Sequence, residues 1–318
     1  MTFKEAFLTK KVIIVAYPGA MRTAIYGLLE LFDIANSLFD PENHLFEVSI
    51  HEVGTKELLE TVDVLILPPS VRGRFHEHPD PNLLNALRSQ HERGTLLCSI
   101  CVGAFILAST GLLDGRIITT HWGVEESFNK SFPKVQLDVN RILIIDGSIW
   151  TAGGLMAWMD LGLEMIRRET SPSFVHQLGR HMIVDTSSRE QRSFRVFQPN
   201  RNHTDEAIHM VQNYLKDHFS KSIDVPALAD LAILGQRTFL RRFKKATGMR
   251  PLEYIQHHRV QNACDLIVQS SMTVEEIAWQ SGYRDISSFR RVFFRIVGMT
   301  PTSYRAKWQD QVHKEYGY

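Results

Sequence analysis

The sequence predicts two domains: an α/β domain with a parallel sheet, followed by an all-α domain built on a tandem helix-turn-helix. Three observations predict this. From Lys10 to about residue 185, short apolar runs alternate with stretches of helical spacing, the pattern of strands covered by helices on both faces. Between Val225 and Tyr304 the chain then repeats itself at an offset of 50 residues. Positive charge also gathers in that repeat: residues 235–307 hold thirteen Lys/Arg against five Asp/Glu, an excess of +8, whereas the residues before Thr204 hold twenty against twenty-three.

The first domain follows in order. Residues 12–17 are a continuous apolar run closed by Pro18-Gly19, as expected of a buried strand and too short for the core of a signal peptide. Residues 24–39 have helical spacing, with Ile25, Leu28, Leu29, Phe32 and Ala35 on one side. Residues 46–53 alternate, and residues 62–67 form another buried run. A helix is expected over 81–93, ending at Gly94, then a strand over 95–100 and a helix over 101–113 stopped near Gly111. Residues 116–120 are strand-like. Strand pieces follow at 142–145 and 148–151, and apolar helices at 155–166 and 174–184. The polar stretch 198–203, which contains Pro199, marks a linker. The expected division is thus a domain over 1–197, a linker over 198–204 and a second domain over 205–318.

One strand exit carries chemistry. In Leu96-Leu-Cys-Ser-Ile-Cys101-Val-Gly-Ala-Phe105, Ser99 and Gly103 supply the small residues that a nucleophile elbow needs two before and two after its central residue. Cys101 would sit at a helix N-terminus, where backbone N–H groups and the helix dipole favour thiolate, with its sulfur exposed at the strand ends and ready to alkylate. His121 follows the next strand-like piece and is placed to reach the same rim. The alternative is that Cys101 is a small buried residue at a strand–helix junction.

The repeat is the sharper signal. Phe239, Arg241 and Phe243 fall on Phe289, Arg291 and Phe293, and Gly248-Met249-x-Pro251-x-x-Tyr254 falls on Gly298-Met299-x-Pro301-x-x-Tyr304. Upstream the offset drops to 49, so the second copy carries one extra residue in its turn. Phenylalanines four apart share one helix face, which turns Arg241 and Arg291 outward. Gly235 and Asp285 are the expected N-caps, and Gly248 and Gly298 the stops. Two short helices about a tight turn, twice over and basic on the outside, imply double-stranded DNA as partner. The candidate contacts are Arg237, Thr238, Leu240, Arg241 and Lys244 from the first unit, and Ser287, Ser288, Arg290 and Arg291 from the second.

These motifs support a resemblance. Residues 205–307 resemble the DNA-binding domain of the AraC/XylS family of transcription regulators, through Ala227-Leu-Ala-Asp-Leu-Ala232, Arg241-Arg-Phe-Lys-Lys-Ala-Thr-Gly248, Ser281-Gly-Tyr283 and Gly298-Met-Thr-Pro-Thr-Ser-Tyr-Arg305. Gly235 departs from the Ser usual at that cap. Residues 252–270 would be the long helix holding the two units apart. Residues 10–185 resemble the PfpI-type domain of the GlxA branch, a flavodoxin-like parallel sheet of the class I glutamine-amidotransferase kind, through residues 99–116, Thr119-Thr-His-Trp122, Thr151-Ala-Gly153 and Asp160-Leu-Gly-Leu163. The resemblance implies that Cys101, Val102, His121 and Thr151 line a ligand pocket. Enzymatic relatives place a carboxylate where this chain has Ala24, and often Gly-Gly where it has Pro68-Pro69.

The implied function is a transcription regulator whose first domain has become a sensor for a small effector of the nitrogen-containing metabolite class. It is expected to act as a homodimer with RNA polymerase as a further partner, without enzymatic activity. Two other classes remain: an active cysteine hydrolase or hydratase tethered to DNA, and a thiol redox sensor using Cys98 and Cys101. Against the redox sensor, Cys98 should lie inside the strand, whereas a CxxC redox pair begins at a helix start. Neither His76 and His78 nor His257 and His258 have partners at metal-ligand spacing, and no phosphate-binding Gly loop is present, so no metal or cofactor is expected. Three cysteines, two of them three apart, form no disulfide framework, and no stretch approaches the about 18 apolar residues of a membrane span. The chain reads as cytoplasmic.

Overall fold

The computed structural model describes residues 8–54, 62–187 and 189–308. Among these, the chain forms two compact units that divide between Gln191 and Arg192.

The first unit opens with β1 (Lys10–Ala16), α1 (Arg22–Phe39), β2 (Phe46–Glu52), β3 (Val64–Leu67), α2 (Pro81–Glu92) and β4 (Leu96–Ile100). It continues with α3 (Gly103–Ala108), β5 (Ile117–Ile118), α4 (Glu125–Ser131), β6 (Gln136–Leu137), β7 (Leu143–Asp146), β8 (Ile149–Ala152), α5 (Trp158–Glu169) and α6 (Pro172–Met182). Six strands form one sheet in the order β2-β1-β3-β4-β8-β7, and β5 pairs with β6 in a separate two-stranded ladder. The strand order reverses between β1 and β3. In open α/β sheets the crevice beyond the strand ends at such a reversal is where ligands bind. Strands β3 and β8 are buried throughout, which is why β3 reads as an unbroken apolar run.

Three features depart from the sequence reading. β7 pairs antiparallel with β8, so the sheet is not wholly parallel. The reversal is a hairpin at Asp146-Gly147-Ser148, with Gly147 at φ 58°, and Asp-Gly is a strong turn signal. Helix α3 stops at Ala108 and does not reach residue 113. There the Ser109 hydroxyl donates back to the Phe105 carbonyl at 2.9 Å and the Thr110 hydroxyl to Leu107 at 2.6 Å, competing with the helical ladder. Of the strand expected over 116–120, only β5 forms, outside the main sheet.

The second unit contains α7 (Glu206–His218), α8 (Val225–Leu231), α9 (Gln236–Thr247), α10 (Pro251–Gln269), α11 (Val274–Gln280), α12 (Ile286–Val297) and α13 (Pro301–Trp308). It has two cores, one per repeat. Phe239 and Phe243 pack with Tyr254 in the first, and Phe289 and Phe293 join the second, with Tyr304 against Phe293. Helix α10 serves both: Tyr254 and Ile255 belong to the first core, Val260, Ala263, Cys264 and Ile267 to the second. One rigid helix therefore sets the spacing of the two units.

Residues of the expected linker, and Phe197 just before it, have partners on this unit. Phe197 packs on Tyr254 and His258, with ring centroids 5.3 and 4.9 Å away, and its N–H donates to Gln261 Oε1. Asn200 donates to the Ala246 carbonyl and accepts from Gln212, and His203 stacks on His209. His257 and His258, expected to be core or solvated residues, are pushed down to about 4 by burial.

The structure also locates the extra residue of the second repeat. The Ile233 and Leu234 amides donate to the carbonyls of Asp230 and Ala229; those of Gly282 and Tyr283 donate to Trp279 and Ala278. Ile233 and Gly282 are thus equivalent, and the insertion is Arg284. Gly282 has φ 87° and no room for a Cβ beside the Ser220 carbonyl. Ile233 holds the same left-handed turn at φ 54°, with its side chain 87 % exposed. A non-glycine residue there costs about 1–2 kcal/mol, against about 0.5–1 kcal/mol of extra chain entropy for glycine. Ile233→Gly should therefore raise stability by up to about 1 kcal/mol, read as a higher denaturant midpoint with an unchanged slope. A lower midpoint would show that the isoleucine side chain is held by contacts.

Candidate functional site

The elbow forms at the end of β4. Cys101 has φ 55°, a left-handed backbone that a side chain rarely adopts, so the chain reverses from strand into helix at this one residue. Its N–H still completes the sheet by donating to the Ala152 carbonyl at 2.8 Å. The tightness of the turn explains Gly103: a Cβ there would lie 2.7 Å from the Leu67 carbonyl oxygen. Ser99 is buried beneath the elbow, with no hydrogen-bond partner for its hydroxyl.

The sulfur is not presented as the sequence suggests. Cys101 is only 3 % exposed. Burial pushes its thiol up to about 11, and the N–H groups of Val102, Gly154 and His121, all directed at the sulfur, offset this only in part. Helix α3 is six residues long, so its dipole adds little. Tyr17 lies alongside, its hydroxyl donating to the Pro68 carbonyl at 2.5 Å; burial and the neighbouring Cys101 push its own ionisation up. Cys98 is fully buried in β4 and likewise held neutral, and both thiols are free.

The other pocket candidates are brought to the same place, through different atoms. His121 gives Cys101 its backbone N–H; its imidazole Nδ1 accepts from the Gly123 N–H at 2.9 Å and the ring stacks on Trp122. Burial holds that imidazole below the ordinary histidine range. Val102 contributes its N–H from the N-cap of α3. Thr151 accepts from the Thr119 N–H at 2.9 Å, and Thr120 donates its hydroxyl to the Cys101 carbonyl at 2.6 Å. Ala24 is fully buried on α1 and supplies no carboxylate; Pro69 has no N–H, and its carbonyl accepts from Met21.

Gln191 was missed in the sequence. It is 3 % exposed, and its side-chain amide donates to Thr119 Oγ1, the Thr120 carbonyl and the Arg141 carbonyl at 3.1, 3.0 and 2.8 Å. Its Oε1 accepts from the Trp122 N–H at 3.4 Å. No motif marks a glutamine that reaches back some seventy residues.

The second constellation lies on α9 and α12. Phe239 and Phe243 are fully buried, which leaves Arg237, Leu240, Arg241 and Lys244 exposed and Thr238 half-buried; with Gln236, Lys245 and Arg250 most of them line a shallow depression. Arg242 is withdrawn from that face by a two-pronged bond to Asp205, the N-cap of α7, at 2.8 and 2.6 Å. That pairing holds the Asp205 carboxyl below the usual range. On α12, Asp285 caps the N–H groups of Ser287 and Ser288. Ser287 and Arg291 are exposed and Ser288 is half-buried, while Arg290 pairs with Glu275 at 3.1 Å on an open surface where such a pair is weak.

The buried sulfur makes a prediction. A thiol held up to about 11 is about one part in a thousand thiolate at pH 8, so iodoacetamide should modify Cys101 slowly there. The rate should climb about tenfold per pH unit through pH 10, without the levelling expected of a cysteine near 8.5. Mass-mapped alkylation of the Cys101 peptide against pH checks this; a plateau by pH 9 would mean that the amides outweigh burial.

Comparison with known proteins finds matches in both units. Residues 43–168 match the DJ-1/PfpI family, and residues 228–307 match a helix-turn-helix domain. The HTH-type transcriptional regulator GlxA of Rhizobium meliloti is 29 % identical over 224 residues, covering 70 % of this chain and 68 % of that protein. The HTH-type transcriptional regulator GbdR of Pseudomonas aeruginosa is 27 % identical over 220 residues, covering 69 % of this chain and 60 % of that protein, so the match stops short of two thirds of its length. Among solved structures, Drosophila melanogaster DJ-1beta aligns with 56 % of this chain and all of its own, at 16 % identity and a TM-score of 0.47. Among the described residues no helix is long and apolar enough to cross a membrane. The chain thus pairs a segment similar to the DJ-1/PfpI family with a segment similar to a helix-turn-helix domain.

Proposed function

We propose that the protein is a sequence-specific DNA-binding transcription regulator whose first unit senses a small metabolite at the Cys101 elbow. The observation that carries the DNA reading is the repeat itself: two helices with the same buried Phe pair, set apart by α10, the first displaying Arg237, Arg241, Lys244 and Lys245 together. Such helices suit successive major-groove faces on one side of the duplex. A homodimer bound to paired sites, and contact with RNA polymerase, belong to the same proposal.

The elbow supports sensing over turnover. Catalysis needs a base and a group to stabilise developing charge. Here the His121 Nδ1 is taken up by the Gly123 N–H, Ala24 offers no carboxylate and the thiol is held neutral. The effector class proposed is a nitrogen-containing metabolite, following the resemblance. One observation favours a residual hydrolase: the left-handed cysteine with three amides on its sulfur is an elbow geometry. Multiple turnover by purified protein that vanishes in Cys101→Ser would establish that second reading.

For DNA, footprinting of the selected operator should show two protected major-groove segments about one helical turn apart. Arg241→Ala should weaken binding by about 1–3 kcal/mol and relax specificity at one base position. A single short footprint would contradict the tandem reading. For the effector, a thermal-shift screen of metabolites against the full chain should find one that stabilises it by about 2.7 kcal/mol at a hundred times its Kd. Loss of that shift in Cys101→Phe would place the ligand at the elbow; an unchanged shift would place it elsewhere.

A further inference from the structure

Phe294 stands outside the packing of α12. Phe289, Val292, Phe293 and Val297 are buried in the second core, whereas Phe294 is 54 % exposed. A lone exposed ring means little by itself, because single apolar residues are common on protein surfaces. Its register gives it meaning. Ser287, Arg290, Arg291 and Phe294 are all exposed and follow at i, i+3, i+4 and i+7, so they share one helix face, turned away from the buried phenylalanines. At the offset of 50 they stand where α9 has Arg237, Leu240, Arg241 and Lys244, and those four side chains converge on one depression. Phe294 therefore belongs to the face that the first repeat uses to gather its charge.

The same spacing is the one by which a helix lying in the major groove turns side chains toward base edges. From Ser287 to Phe294 the helix advances about 10 Å, within the groove width of about 12 Å. A phenyl ring set against a phosphate or a hydrogen-bonding base edge would strip its water and return no hydrogen bond. The apolar group that a base pair offers in the major groove is the C5-methyl of thymine. Where the first repeat has Lys244, suited to phosphate, the second has a ring suited to that methyl.

We propose that Phe294 is a specificity-determining residue that reads the methyl group of a thymine in the major groove. This rests on the DNA-binding reading, and it lies wholly within the second unit.

The test measures binding of the full chain to its selected operator, with each thymine replaced in turn by uracil. Uracil lacks the methyl group and keeps the hydrogen-bonding groups of the base. One such replacement should weaken the wild-type chain about fourfold, the worth of one buried methyl group. Phe294→Ala should bind the intact operator more weakly, and that same uracil should then cost nothing, because the ring that met the methyl is gone. Phe294→Leu keeps an apolar side chain and should retain part of the discrimination. Phe294→Lys, the residue of the first repeat, should lose it and steepen the log–log salt dependence by about one. If every uracil penalty survives unchanged in Phe294→Ala, another residue reads the methyl and the proposal is overturned. An operator tolerant of uracil at every position overturns it too. So does a Phe294→Ala chain that binds DNA like the wild type but transcribes poorly, the mark of a ring that meets a protein. The ring is exposed, so these variants should unfold at the wild-type denaturant midpoint. A chain that selects no operator would remove the DNA-binding reading itself, whereas uracil tolerance on a selected operator removes only the role of Phe294.

Discussion

The first unit depends on one backbone reversal. Once Cys101 is left-handed, its N–H is committed to Ala152 and its carbonyl to the Thr120 hydroxyl, so β8 and the loop after β5 must both close on it. Gly103 follows because nothing larger clears Leu67. The sulfur then lies inside the ring of loops it organises, under three amides. The strain of such a residue, of order 1–3 kcal/mol, persists only where its surroundings over-determine it. Here the sheet on one side and the Gln191 network on the other supply that constraint.

Burial decides the chemistry of the thiol. Amide donors lower a thiol's pKa and desolvation raises it, and at 3 % exposure desolvation prevails. A reactive cysteine needs the opposite balance, with donors and water access together. The same shielding makes the site responsive, because an occupant must part the amides that close over the sulfur. The cradle is therefore suited to converting occupancy into displacement.

Much of this was legible in the sequence, for physical reasons that can be separated. The elbow could be read because its sterics act over two residues, Ser99 and Gly103. The helix-turn-helix pair could be read because Phe239 and Phe243 recur as Phe289 and Phe293, and the caps recur with them. Burial of the sulfur could be read only as the alternative at a strand–helix junction, because the loops that reach the sulfur at His121 and Gly154 are brought in by tertiary folding. Gln191 was invisible for the same reason: its partners Thr119, Thr120 and Arg141 lie 72, 71 and 50 residues away. The β7–β8 hairpin was available in Asp146-Gly147 and was overlooked in favour of the alternation around it. The polar stretch 198–203 read as a linker because its composition is that of a loop. Its side chains nonetheless find partners on α9, α7 and α10: Ala246 for Asn200, Gln212 for His203, and the Tyr254–His258 face for the adjoining Phe197.

The repeat keeps its core and changes its surface. Where α9 displays Lys244, α12 displays Phe294, 54 % exposed. Where α9 has Arg237, α12 has Ser287. Arg290 is paired with Glu275, and Arg295 donates to Gln256 at 2.6 Å, whereas Arg237, Arg241, Lys244 and Lys245 converge on one depression. Neutralising phosphates releases counterions and gives binding its salt dependence, while short hydroxyls and exposed rings discriminate by shape and by contact with base edges. In the proposed complex the first helix therefore supplies most of the electrostatic grip. The second, held at a fixed distance by α10, adds contacts that depend little on salt. A duplicated scaffold thus carries two different reading heads because only the buried half of each helix is bound by the requirements of packing.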